Sequence, residues 1–169
     1  IALVICEGET EVCYLNLLNK WYKSPIKIVS HIEGTKITPS LVENRIKELK
    51  ISSRDKVYTF LMYDMDVEVV NEKLLKCKAE MLLSNPCFEI WLLLHIKDQK
   101  TAIKTDALIK ELKKIAPMWK NYNKSAFTDT QQSFLKDNTD VAVIRAKGLC
   151  EFQNPSTGIY KLIEMLKKR

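Results

Sequence analysis

Through about residue 65 the chain alternates between short apolar runs and segments whose apolar residues recur every three or four positions. Ala2 to Cys6 is continuously apolar, the pattern of a strand buried on both faces, and Thr10 to Trp21 carries Val12, Tyr14, Leu15, Leu18 and Trp21 as a helical stripe. Ile26 to Ile32 reads as a second strand. Pro39 to Leu49 sets Leu41, Val42, Ile46 and Leu49 on one helical face behind a Thr38 cap, and Val57 to Tyr63 is a third apolar run rich in branched and aromatic residues. The βαβαβ order predicts a mainly parallel sheet with right-handed crossovers and helices on both faces, so ligands belong beyond the carboxyl ends of the strands.

Beyond this the pattern turns helical. Val69 to Lys78 predicts a helix, Met81 to Ser84 a short fourth strand, and Pro86 to Ile96 a helix entered through Asn85 as cap with Pro86 in its first turn. Amphipathic segments follow over Ala107 to Ile115, Thr128 to Lys136, Val141 to Leu149 and Ile159 to Leu166, with Asp140 and Ser156-Thr157 as start signals. The expectation is an α/β fold with a mainly parallel four-stranded sheet. Residues 1–96 form its core, and residues 97–169 are a helical extension of the same domain.

Composition narrows the chemistry. At 169 residues, 46% hydrophobic and 28% charged, the chain suits one soluble folded domain, and no apolar stretch reaches the roughly 20 residues of a membrane span. Ile1 to Cys6 has no basic flank and reads as a strand and not as a signal peptide. Only Gly8, Gly34, Gly148 and Gly158 are present, which writes neither a dinucleotide turn nor a phosphate loop. The five cysteines never form C-x-x-C, and His31 and His95 lie far apart, so reduced, buried thiols in a cytoplasm are expected and structural zinc is not. The net charge of +6 is unevenly spread: residues 1–96 hold 12 basic and 13 acidic side chains, residues 97–169 hold 15 and 8. That field suits a polyanion, or equally the solvated outer faces of helices.

The acids give the sharper signal. Glu7 directly follows the first strand, and Asp64 and Asp66 follow the third, so both sets fall at carboxyl ends of parallel strands and face one crevice, joined by Glu68. Like charges so close do not all stay ionised without a cation, and hard oxygen donors select Mg²⁺ or Mn²⁺. The alternative is structural: Glu9 and Glu11 complement a helix dipole, and Asp66 caps the next helix. Glu89 lies in a helix apolar on nearly every side and needs a partner: first-turn amides, a lysine, His95 (poorly placed at i+6), or the acid crevice itself. His95, in the same helix, reads as a satisfied core residue.

These residues carry a resemblance. Ile5-Cys6-Glu7-Gly8-Glu9-Thr10-Glu11 resembles the C-E-G-x-x-T-E opening of the RloB-like (AbiLii-like) phage-defence proteins. Tyr63-Asp64-Met65-Asp66 resembles their D-x-D strand end, and Ser84-Asn85-Pro86-Cys87-Phe88-Glu89-Ile90-Trp91-Leu92-Leu93-Leu94-His95 their most distinctive run. Ala142 to Lys147 and Asn154 to Thr157 are similar to the family's C-terminal helices. The resemblance implies a Toprim-like fold, in which a glutamate after strand 1 and a D-x-D after strand 3 bind divalent metal and act on phosphodiesters. Glu7, Asp64 and Asp66 would be catalytic, with Glu68 in place of a third acid. It further implies a nucleic-acid target, DNA or RNA including tRNA, and an ABC- or SMC-like ATPase partner. Basic residues of the C-terminal helices, first Arg145 and Lys147, would hold the phosphate backbone that the acids repel. Two other classes stay open: a non-catalytic or regulatory partner of a defence ATPase, and a receiver-like signalling domain that also places acids after strands 1 and 3.

Overall fold

The computed structural model describes residues 1–52 and 54–168. Three strands, β1 (Ala2–Cys6), β2 (Ile28–Ile32) and β3 (Tyr58–Met62), run parallel with the short β4 (Glu80–Met81) in the order β2-β1-β3-β4. The all-parallel four-stranded sheet flanked by helices is the expected α/β fold and is consistent with a Toprim-like one. β1 lies at the centre, pairing Val4 with Ser30 on one side and with Phe60 on the other, and all five of its residues are buried. That is why it reads as an unbroken apolar run.

Side-chain alternation divides the core into two layers. Ala2, Val4 and Cys6 of β1, with Phe60 and Met62 of β3, face α1 (Glu9–Trp21), α4 (Glu89–Leu94) and the C-terminal helices. Leu3 and Ile5, with Leu61 and Tyr63, face α2 (Pro39–Glu48) and α3 (Glu68–Leu75) through Val42, Val70 and Leu74. The first layer runs without a break into α5 (Thr105–Ile115), α6 (Asp129–Asp137), α7 (Thr139–Lys147) and α8 (Tyr160–Lys167), by way of Leu112, Leu135, Ala142 and Leu162. Thr38 caps α2 as the sequence predicts, its hydroxyl accepting from Leu41 N at 3.2 Å.

Three expectations are corrected. The segment Pro86 to Phe88 is not the first turn of a helix entered through Asn85. β5 (Ser84–Asn85) pairs antiparallel with β6 (Ser156–Thr157), and α4 begins only at Glu89. Asn85 spends its side chain on Phe152 O, so it caps nothing, and Ser156-Thr157 is strand and not helix start. The cysteines are all free, and Cys6, Cys77 and Cys87 are buried in the core, but Cys150 is exposed and Cys13 half-buried.

The strand carrying Ser84 continues alongside β3: Ser84 N donates to Tyr63 O at 3.0 Å, and Met65 N to Ser84 O at 2.8 Å. Gly158 locks β6 against it. A Cβ there would stand 3.0 Å from Met81 O and 3.4 Å from Leu82 Cα, both backbone atoms that cannot swing aside. Gly158→Ala is therefore expected to destabilise the fold by about 1–3 kcal/mol, a fall of about 2–4 °C in melting temperature per kcal/mol. Calorimetry on the purified variant checks this, and an unchanged melting temperature would remove Gly158 from this role.

Candidate metal centre

Parallel pairing places Glu7 and Asp64 side by side. Glu7 is the first residue past β1 and Asp64 the second past β3, and β1 and β3 are hydrogen-bonded neighbours in register. Asp64 N donates to Glu7 Oε2 at 3.2 Å, and Asp64 Oδ1 accepts from Phe88 N, just before α4, at 2.8 Å. Asp64 thus does at the head of α4 what the sequence assigns to Asn85. On the far side the turn after β2 closes the edge. Gly34 adopts φ +57° there, and its carbonyl accepts from the Tyr63 hydroxyl at 2.7 Å.

Glu11 joins them. One carboxylate oxygen each of Glu7, Glu11 and Asp64 lies within 4.8 Å of the others. Glu11, assigned on sequence to the helix dipole, is 5% exposed because it continues the stripe of Leu15 and Leu18 one turn toward the start of α1. The electrostatics are those of crowded acids. Burial first, then Glu7, Glu11, Glu89 and Asp66, push Asp64 up to about 9. Burial, then Glu7 and Glu89, push Glu11 up to about 7, against the amides of Glu11 and Gly8. Burial also raises Glu7, countered by the Asp64 amide and by Lys124.

The other sequence-derived residues are placed differently. Asp66 is exposed at a bend in the chain, so it does not keep the extended i, i+2 geometry with Asp64, yet its charge acts on both Glu7 and Asp64. Glu68 is exposed in the first turn of α3, outside the convergent set. Glu89 is buried, acts on Glu7, Glu11 and Asp64, and has Lys124 Nζ 3.5 Å from its Oε1. Glu89 thus has the lysine partner that was one of its expected options, and its charge acts on the acids while it lies outside the convergent set. Arg145 Nη1 donates to Leu94 O at 2.8 Å, closing the end of α4, and Lys147 pairs with Glu164 at 3.1 Å. His95 donates Nδ1–H to Trp91 O at 2.7 Å, and burial lowers its pKa to about 4, so it is uncharged.

Glu11 and Lys124 are the residues the sequence reading missed. Glu11 was legible as an acid on the buried face of an amphipathic helix, four residues after Glu7. Lys124 sits between two helices in a stretch with no periodic signal. The donor set fits a hard divalent cation: three converging carboxylates, partly enclosed, two of them held off ionisation by each other and by burial.

Two comparisons with known proteins give nothing: no curated protein and no solved structure matches the chain. The third does: the family model described as RloB-like protein matches residues 2–166. No helix among the described residues is long and apolar enough to cross a membrane.

The raised acids fix the sign of a pH effect. A carboxyl with a folded-state pKa above its unfolded value leaves the folded chain holding more protons, so without metal stability falls as pH rises from about 4 toward 9. A divalent cation binds the ionised set, so its stabilisation grows over the same range. The melting-temperature increase on adding excess MnCl₂ is expected to be larger at pH 8 than at pH 6. Asp64→Asn should raise the metal-free melting temperature at pH 8 by about 2–4 °C and abolish the Mn²⁺ increase. Equal increases at both pH values, or one surviving in Asp64→Asn, would count against the centre.

Proposed function

The chain belongs to the RloB-like family, which is associated with abortive infection and phage defence, and we propose that it is the Mg²⁺- or Mn²⁺-dependent nuclease of such a system. The observation that carries this is the convergence of Glu7, Glu11 and Asp64 within 4.8 Å at the carboxyl edge of a parallel sheet. A cation bound there polarises a phosphodiester and makes water nucleophilic near neutral pH.

The chain's own residues divide the work by environment. Asp64, held by the Phe88 amide, and Glu11, buried in α1, are the enclosed acids and hold the cation. Glu7 is half-buried and oriented by the Asp64 amide, and burial raises its pKa above the ordinary carboxylate value. It orients the attacking water and takes its proton. Asp66, exposed at the rim, adds negative charge that draws the cation in. Of the sequence-derived metal set, Glu7 and Asp64 belong to the converging acids, Asp66 and Glu89 act on them by charge, and Glu68 is outside the set.

The target is nucleic acid, RNA such as tRNA or DNA, held by basic residues of the C-terminal helices. Arg145 and Lys147 contribute there only if the substrate competes with Leu94 O, Asp98 and Glu164 for them. An ABC- or SMC-like ATPase is the partner that restrains or triggers cleavage, in the cytoplasm. The full chain, alone and with such a partner, should cleave one member of a panel of DNA, RNA and tRNA in Mg²⁺ or Mn²⁺ and lose this with EDTA. Glu7→Gln and Asp64→Asn should each lower the rate by about 10²-fold or more. Nucleic-acid or ATPase binding without any cleavage would instead identify a non-catalytic subunit.

A further inference from the structure

A hairpin of the helical extension faces the acids. Asn123 and Ala126 pair across a turn at Lys124 and Ser125, and Asn123 Oδ1 accepts from Ser125 N at 2.8 Å. Cys13 Sγ of α1 donates to Ser125 O at 3.1 Å, so the hairpin is tied to the helix that carries Glu11. Before the turn stands Tyr122, its ring packed on Trp119 and Phe127 at centroid distances of 5.9 and 6.3 Å. Tyr122 is 7% exposed, and its hydroxyl is buried with no hydrogen-bond partner. Such a group is destabilising where it stands, and its presence asks for a ligand. Burial first, then the charges of Glu89, Cys87, Glu11 and Asp64, raise its pKa, and the hairpin that carries it reaches Glu89 through Lys124 and the helix of Glu11 through Ser125. Two residues on, the Lys124 side chain is 60% exposed, with Nζ 3.5 Å from Glu89 Oε1. Its charge acts on Glu7, and it lies in the field of Asp64.

We propose that this hairpin completes the centre from the substrate side: the Tyr122 hydroxyl is a positioning group that donates to a ligand oxygen held among the acids, and Lys124 leaves Glu89 to bind a phosphate oxygen of the substrate. The inference rests on the metal-dependent reading above. Glu89 now takes its positive charge from Lys124; with a cation held by the neighbouring acids that demand would be met in part, and the Lys124 ammonium would be free to engage a substrate. There a compact, mobile cation offsets the repulsion between phosphate and the acid cluster.

Three measurements on the full chain test this: melting temperature without metal, Mn²⁺ affinity by calorimetry without substrate, and anisotropy of a fluorescein-labelled single-stranded RNA oligonucleotide in Ca²⁺. Tyr122→Phe is expected to leave the metal-free melting temperature unchanged or higher and to weaken Mn²⁺ binding about 10-fold. Lys124→Met should leave Mn²⁺ binding equal or tighter and weaken Ca²⁺-dependent oligonucleotide binding about 10-fold, with Lys124→Arg retaining most of it. The hairpin's role is overturned if Tyr122→Phe lowers the melting temperature with Mn²⁺ affinity intact, if Lys124→Met leaves oligonucleotide binding intact, or if the wild type binds Mn²⁺ but shows no Ca²⁺-dependent retention of the oligonucleotide. A wild type that binds no Mn²⁺ sinks the metal reading, and this inference with it. Mn²⁺ binding to the acids with both variants behaving as wild type sinks the hairpin alone.

Discussion

Repulsion between enclosed carboxylates is the constraint around which this molecule is arranged. Glu7, Glu11 and Asp64 share one small volume, with Glu89 and Asp66 acting on it from behind and from the rim. Nothing in an apolar core would tolerate that set without fixed donors. The donors are backbone amides: Asp64 N on Glu7, and Phe88 N on Asp64. Each belongs to an element pinned elsewhere, so the acids cannot relax apart without breaking the sheet edge or the head of α4. The protein thereby holds a high negative charge density that protons relieve in part and a hard cation relieves better.

That arrangement follows from the sheet. Parallel neighbours end on the same edge, so residues just past β1 and just past β3 meet although 57 positions separate Glu7 from Asp64. The short β4 then carries the chain alongside β3 as far as Ser84, whose hydroxyl shares a 2.8 Å hydrogen bond with Thr157. This antiparallel patch fastens the last part of the chain to the strand that leads into α4. The helical extension is therefore built into the same hydrophobic layer that supports the acids, and its loops border them.

Legibility followed the range of the interaction. The strands and the helices α1 and α2 were readable because their apolar spacing is local, and ends differed by only a residue or two. The head of α4 was misread because two rules favoured Asn85 and Pro86 as a helix start, whereas a β5–β6 pairing from over 70 residues away claims Asn85 first. For the acids, position after a strand was enough to find Glu7 and Asp64. It did not show that the chain bends at Asp66, and it passed over Glu11, whose charge suggested a helix-dipole role although its place in the buried stripe was visible. Tyr122 and Lys124 left no trace, since a polar turn between helices looks alike whether it faces solvent or a cluster of acids.

The sequence by itself determined the α/β class, the parallel sheet and the pair of acids at strand ends, because periodicity and strand-end position are properties of neighbouring residues. It also carried the family, through a motif that survives as a string. Only the tertiary structure decided which acids share a volume, that Lys124 is the cation beside Glu89, and that the Tyr122 hydroxyl is buried unpaired. Those outcomes depend on distances between segments far apart in the chain, and electrostatic energy is set by those distances and by burial, not by order along the backbone.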